Sequence, residues 1–206
     1  AGLWSKMAEQ GYLGAIFPEE YGGLGLGMVE LAVLLEEMGM ALVPGPYFSS
    51  VILAGTLLDS AGSDAVKKKY LQPICEGTMR ATVALLETSA NWTFDAVKMQ
   101  VSGDLLSGTK MFVTDAAAAD ILIVPAMRDG ELTLWIVNAK ASGLAITPMP
   151  ALDLTRKLYK LTFDCVEASE LLASGVAARR ALERMADIGA MALSAETTGG
   201  MQRVMD

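Results

Sequence analysis

The amino-acid sequence predicts an α+β multidomain chain: an N-terminal α-helical domain over residues 1–78, an antiparallel β barrel or sandwich domain over 79–172, and the start of a C-terminal helical bundle over 173–206. Three observations lead there. Apolar residues recur at intervals of three and four through the first eighty positions, which is the helical period. Beyond Gly77 the chain breaks into short segments rich in β-branched and aromatic residues, divided by Gly, Asp, Ser and Pro; that is the pattern of an antiparallel sheet rather than of βαβ units. From Gly175 the helical period returns and runs to Asp206 with no stop signal, as expected of a domain that continues.

In the first region Leu3, Trp4, Met7 and Ala8 form one helical face, ended by Gly11, and Met28, Leu31, Ala32, Leu34, Leu35 and Met38 form a second, ended by Gly39. Ser49 or Ser50 is expected to cap a helix over 51–58, and Ser63 a helix over 64–71, because a hydroxyl oxygen can accept from the unpaired amides of a first turn. Lys67, Lys68 and Lys69 then lie on a solvated face near a helix end, where positive charge suits the macrodipole. Seven strands are expected, at 80–86, 96–101, 109–114, 120–124, 131–137, 144–148 and 157–163. In the last helix Val176, Leu182, Met185, Ile188, Met191, Ala192 and Ala195 recur at intervals of three to four. The chain carries no internal repeat and no low-complexity segment.

Composition excludes several functions. The chain has 206 residues, 52% hydrophobic and 19% charged, enough to build a substantial core. Its mean hydropathy of +0.39 points to apolar surface reserved for a partner subunit or for further chain. With no histidine there is no imidazole general base, no Ser-His or Cys-His pair and no imidazole metal site. Cys75 and Cys165 stand ninety positions apart, so they form neither a CxxC nor a disulfide framework, and a reducing compartment is expected. A net charge of -8 repels phosphate backbones, and three consecutive lysines do not offset it, so no nucleic-acid partner is expected. No apolar stretch reaches the roughly 18 residues of a membrane span, and residues 1–6 lack a signal-peptide pattern. A cytoplasmic protein without a membrane partner is the expectation.

Most motifs have a plain structural reading. Tyr21-Gly-Gly-Leu-Gly-Leu-Gly27 invites a phosphate loop, but helices lie on both sides and Glu30 stands where a third glycine belongs, so a tight interhelical connection is expected. Ser107-Gly-Thr-Lys110 has the Ser-x-x-Lys form without its companion motifs, and Ser107-Gly108 reads as a hairpin turn. Asn91-Trp-Thr93 is a sequon without secretory context. Glu36, Glu37 and the Glu183/Asp187 pair read as solvated helix faces rather than acid-base groups.

One constellation goes further. Gly11-Tyr-Leu-Gly14 is followed by Phe17-Pro-Glu-Glu-Tyr-Gly-Gly-Leu-Gly25 and then by Glu36-Glu-Met-Gly39. This string resembles the N-terminal signature of the acyl-CoA dehydrogenase family, flavoproteins that oxidise an acyl-CoA across Cα and Cβ. Ala84-Leu-Leu-Glu87 resembles the family's first flavin-contact strand, Gly108-Thr-Lys-Met-Phe-Val-Thr114 its second, and Leu161-Thr-Phe-Asp-Cys-Val166 the strand that closes its β domain. The resemblance covers essentially the whole chain, and the order of helical segment, β domain and returning helix is the family's order too.

The resemblance implies FAD as cofactor, an acyl-CoA substrate, electron-transferring flavoprotein as electron partner, and a homo- or hetero-oligomer. It assigns the isoalloxazine to one face of the second contact strand. Phe112 and Thr114, two apart and so on one side of a regular strand, would supply an aromatic wall and a hydroxyl, and backbone groups of Leu85 and Leu86 the counterpart. There are departures: Leu86 and Thr88 flank Glu87 where the family has Thr and Pro, and Ser89-Ala-Asn-Trp92 replaces its Gly-Ser-Asp turn. Trp92 and Asp153-Leu-Thr-Arg156 resemble a bacterial subgroup, some of whose members work as two unlike subunits on bulky substrates such as sterol side chains. In most of the family the base is a glutamate in a C-terminal domain outside this sequence. In a minority branch it lies on the helix after the β domain, but the register through Thr198-Gly-Gly-Met-Gln202 puts Gly189 there, with Asp187 and Glu196 out of step. No catalytic residue is assigned. The expectation is an FAD-dependent α,β-dehydrogenase. The alternatives are a non-catalytic subunit of the same fold that completes a heteromer, and a flavin oxidase or monooxygenase on this fold.

Overall fold

A computed structural model describes residues 2–153 and 155–206; Leu154 of the Asp153–Arg156 motif and Ala1 lie outside the described residues. The chain opens with α1 (Gly2–Glu9), 3-10 turns at Tyr12–Gly14 and Glu19–Tyr21, and α2 (Met28–Met40). A π-helical stretch, Phe48–Gly55, then runs directly into α3 (Thr56–Ala61). Next come α4 (Asp64–Val66), a second π-helical stretch, Lys67–Leu71, and α5 (Gln72–Cys75). Ser63 caps as the sequence predicts, its Oγ accepting from the Val66 amide at 3.3 Å. Ser49 and Ser50 do not cap. Both lie inside the helix, fully buried; Ser50 Oγ donates to the Ala81 carbonyl at 2.8 Å and accepts from the Ala81 amide at 3.1 Å, and Ser49 Oγ donates to Asp115 Oδ2 at 2.7 Å. Their hydroxyls tie the helices to the sheet instead of satisfying a helix end.

Eight strands follow: β1 (Ala81–Val83), β2 (Gln100–Ser102), β3 (Leu105–Thr114), β4 (Ile121–Arg128), β5 (Glu131–Asn138), β6 (Leu144–Met149), β7 (Leu158–Glu167) and β8 (Glu170–Ser174). The α+β class holds, but the antiparallel barrel or sandwich gives way to an open, mixed sheet in the order β6-β7-β3-β2-β4-β5-β8, with β1 also on β4. Both β1 and β2 run parallel to β4. The physical reason for the first pairing is Asp120, whose Oδ2 accepts from the Arg80 amide at 2.8 Å while its own amide donates to the Arg80 carbonyl. That clamp starts β1 and β4 side by side in one direction. Ser107-Gly108 lies within β3, and Gly103-Asp104 makes the β2–β3 turn instead. The strand like the family's closing one, β7, is followed by β8, which pairs with β5.

Strands β4 and β5 are buried on both faces, as a sheet covered on each side must be. Ile121, Ile123, Leu134 and Ile136 pack with the helices in one core, while Leu122, Val124, Trp135 and Val137 pack with β3 and β7 in the other. The indole of Trp135 donates to Thr133 Oγ1, which donates to the Ala126 carbonyl, so this large ring is buried without an unpaired N–H. The last helix, α6 (Gly175–Met205), turns Ala178, Leu182, Met185, Ile188 and Ala192 onto the first core.

Gly39 stands one residue before the end of α2 at Met40, as a stop signal predicts, and it has a second role. It lies within α2, buried, where a Cβ would stand 2.0 Å from the Glu196 carbonyl oxygen of α6. Gly199 of α6 is its counterpart, its Cβ position 1.8 Å from the Glu36 carbonyl oxygen. The two helices touch backbone to backbone, which only glycine permits there. In an isolated helix Gly199→Ala would gain about 1 kcal/mol of propensity. Here the overlap is with backbone, so the loss wins: Gly199→Ala is expected to lower stability, and Gly199→Val to lower it by about 2 kcal/mol or more, read as a lower urea midpoint at unchanged slope.

Candidate functional site

The site is built on β3 and on residues 84–88, which continue past the end of β1. A regular strand would put Lys110, Phe112 and Thr114 on one face. The register against β7 slips instead: Lys110 pairs with Leu161 and Val113 with Tyr159, so two residues oppose one. This is a β-bulge. Phe112 takes a left-handed conformation with φ of 55°, uncommon for a bulky side chain. The bulge separates what alternation would join: Lys110 turns inward and is fully buried, while Phe112 is 41% exposed. Val113 points into the second core, and Thr114 is half-buried. Asp164 and Cys165 form a second bulge, on β7, where the Cys165 amide donates to Ser107 Oγ at 3.2 Å.

Residues 84–87 are not a strand, because β1 ends at Val83. The segment is held against β3 from the side. The Met111 amide donates to the Leu86 carbonyl at 2.8 Å, and Lys110 Nζ donates to the Leu85 carbonyl at 3.3 Å and to Glu87 Oε1 at 2.9 Å. Glu87 also accepts from the amides of Lys98 and Met99 at 2.9–3.1 Å. Burial alone would push the Glu87 carboxyl up; the Met99 amide, the Lys110 ammonium and the Lys98 amide reverse that and hold it below the usual carboxylate range. Burial pulls the Lys110 ammonium down, against the attraction of Glu87. The four residues the sequence singles out, Leu85, Leu86, Phe112 and Thr114, thus lie on two adjoining segments. The residue pair that joins those segments, Lys110 and Glu87, was legible as two charged positions but not as an ion pair, since they stand 23 positions apart.

Thr114 also lines a cavity of about 260 Å³, together with Met38, Val43, Tyr47 and Phe48 of the helical region and with Arg156 and Glu196. Phe112 stands outside it. Arg156 pairs with Glu196 of α6 and lies 5.8 Å over the Phe48 ring. These contacts join residues 40 and 108 positions apart, and nothing local in the sequence signals them. Glu196 is therefore engaged as an ion-pair partner, Asp187 is exposed, and Gly189 is buried against Leu53 and Phe48. Ser89-Ala-Asn-Trp92 forms an exposed turn with Trp92 at 76% exposure, and the Thr93 amide closes an Asx-turn on Asn91 Oδ1 at 3.0 Å. The glycine-rich stretch after Tyr21 is a tight connection: the amides of Leu24, Gly25 and Leu26 donate to the carbonyls of Gly14, Phe17 and Ala15. Cys75 is buried, which pushes its thiol up to about 12, and Cys165 is exposed and free. No helix among the described residues is long and apolar enough to cross a membrane.

The ion pair carries a pH signature. Because the folded-state pKa of Glu87 is depressed, the stability it contributes is present above its unfolded value, near 4.3, and is lost as pH falls through the folded value. Lys110→Met leaves the carboxylate without its counter-charge, and at pH 7 the expected cost is about 3 kcal/mol. The gap between wild type and variant in urea unfolding is expected to close on acidification from pH 6 to pH 3. A gap independent of pH would show that the pair does not carry that stability.

Comparison with known proteins agrees with this architecture. Residues 1–78 match the family described as acyl-CoA dehydrogenase, N-terminal domain. Acyl-CoA dehydrogenase FadE12 of Mycobacterium tuberculosis is 30% identical over 160 residues, which take in 71% of this chain and 41% of that protein. Among solved structures, the Tcur3481-Tcur3483 steroid ACAD is 32% identical with a TM-score of 0.80 over 96% of this chain and 53% of its own. An acyl-CoA dehydrogenase complexed with FAD from Bacillus anthracis gives a TM-score of 0.87 at 26% identity, over 98% of this chain and 36% of its own. The chain thus spans about two fifths of the length of the curated relatives it matches. From its helical domain through its mixed sheet to its last helix, the chain belongs to the acyl-CoA dehydrogenase family.

Proposed function

We propose that this chain forms the flavin-facing part of an FAD-dependent acyl-CoA dehydrogenase that removes hydrogen from Cα and Cβ of an acyl-CoA thioester. The observation that carries the reading is the β3 bulge, which leaves Phe112 exposed two residues before Thr114, a residue that lines the cavity. The donor set fits a flavin: a flat apolar wall, a hydroxyl two residues on, and the backbone of Leu85 and Leu86 on the adjoining segment. When bound there, FAD would supply a two-electron acceptor for the hydride from Cβ. The protein's own part is to orient the ring system with Phe112 and Thr114 and to keep water from one of its edges. None of Asp187, Gly189 and Glu196 is assigned the proton-abstracting role. Electron-transferring flavoprotein is the proposed electron partner, and the proposed location is the cytoplasm.

A second reading has its own support. The exposed Ser89–Trp92 turn lacks the Gly-Ser-Asp sequence that the family resemblance leads one to expect, and a similar solved structure bears the names of two proteins. The same fold could then serve as a non-catalytic subunit that completes a heteromer. The double substitution Phe112→Ala, Thr114→Val separates the readings. Under the first, the purified protein is yellow with near-stoichiometric FAD and bleaches anaerobically with acyl-CoA when its catalytic part is present, and the variant loses most of its flavin. Equal flavin content in wild type and variant would remove Phe112 and Thr114 from the site, and a colourless wild type that binds a flavin-containing relative would favour the second reading.

A further inference from the structure

Residues 84–88 leave the sheet at Val83, and two groups on β3 hold their carbonyls: the Met111 amide on Leu86 and the Lys110 ammonium on Leu85. The same ammonium draws Glu87 in, and Glu87 in turn gathers the Lys98 and Met99 amides. As a stability device this is a poor choice, because an ion pair with one fully buried partner is commonly matched or bettered by apolar side chains of similar volume. As a register device it is well suited. With Lys110 drawn inward and Val113 the next side chain in the core, the two residues between them have room for only one regular position, and Phe112 is forced out in its left-handed conformation.

We propose that Lys110 is a positioning residue: its ammonium locks residues 84–88 to the β3 bulge and so holds Phe112, Thr114, Leu85 and Leu86 in one fixed arrangement toward the flavin. The inference rests on the flavin reading of that face. Lys110 touches no ligand itself. It acts by adding a side-chain tie to the Met111–Leu86 backbone bond between the two segments, which lowers the ordering cost of binding.

The test compares wild type, Lys110→Met, and the double variant Lys110→Met/Glu87→Gln, whose neutral side chain removes the unpaired charge while its carbonyl oxygen still accepts from the Lys98 and Met99 amides, and which is expected to recover most of the melting temperature. Each is stripped of flavin and titrated with FAD, and visible circular dichroism and amide hydrogen exchange are recorded. In both variants FAD binding is expected to weaken about tenfold, as when one or two additional groups must be ordered on binding. The dichroic bands of the bound flavin should change, and the Met111 amide should exchange faster while those of Ile123 and Ile136 do not. The decisive arm is the double variant, where stability returns and FAD affinity does not. Recovery of FAD affinity with stability would overturn the proposal in favour of a merely structural pair, as would unchanged dichroism and Met111 exchange in both variants. A wild type that takes up no FAD at all fails differently: it removes the flavin reading and the positioning role with it.

Discussion

The interaction on which the site depends is the contact of Lys110 with Glu87 and the Leu85 carbonyl, made immediately before a one-residue slip in β3. Strand side chains alternate, so a residue two positions from a buried lysine should itself be buried. Inserting one extra residue opposite β7 breaks that rule locally. It lets a charged side chain reach a carboxylate inside the sheet while an aromatic ring two residues later faces outward. The slip separates Phe112 from the buried Lys110, and the Met111 amide and the Lys110 ammonium hold the Leu85–Leu86 segment to the same stretch of β3.

The rest of the molecule supports the slip by fixing the sheet against the helices. Strands β4 and β5 contribute to two cores at once, so neither can shift without disturbing both. Ser50 bonds both backbone groups of Ala81, and Ser49 bonds Asp115 directly after Thr114. These hydroxyls pin the two ends of the site to one helix. On the far side, α2 and α6 approach so closely at Gly39 and Gly199 that their backbones are in contact, and this sets the position of Glu196 facing Arg156. The cavity beside Thr114 is the space left between those constraints.

This arrangement also shows how the chain relates to its family. The helical domain, mixed sheet and long helix are shared with acyl-CoA dehydrogenases, and the cavity has both apolar walls from the helical region and a charged boundary from Arg156 and Glu196. The carboxylates that α6 offers are either engaged in that boundary or exposed.

The sequence by itself determined the class of structure, the order of helices, strands and final helix, and the family, because periodicity and turn residues are local and motif strings are read directly. It also located Phe112, Thr114, Leu85 and Leu86 as candidates. The tertiary structure decided where those positions lie. A bulge is invisible to alternation, so the regular-strand reading kept Lys110 and Phe112 on one face until pairing with β7 moved them apart. Ser49 and Ser50 have the chemistry of helix caps, and only the presence of Ala81 and Asp115 beside them turned them into cross-links. Parallel pairing of β1 with β4 arises from Asp120 binding Arg80 across 40 positions. In each case the local preference was correctly stated and then outweighed by a partner distant in the chain, and that partner's identity is set only once the chain has folded.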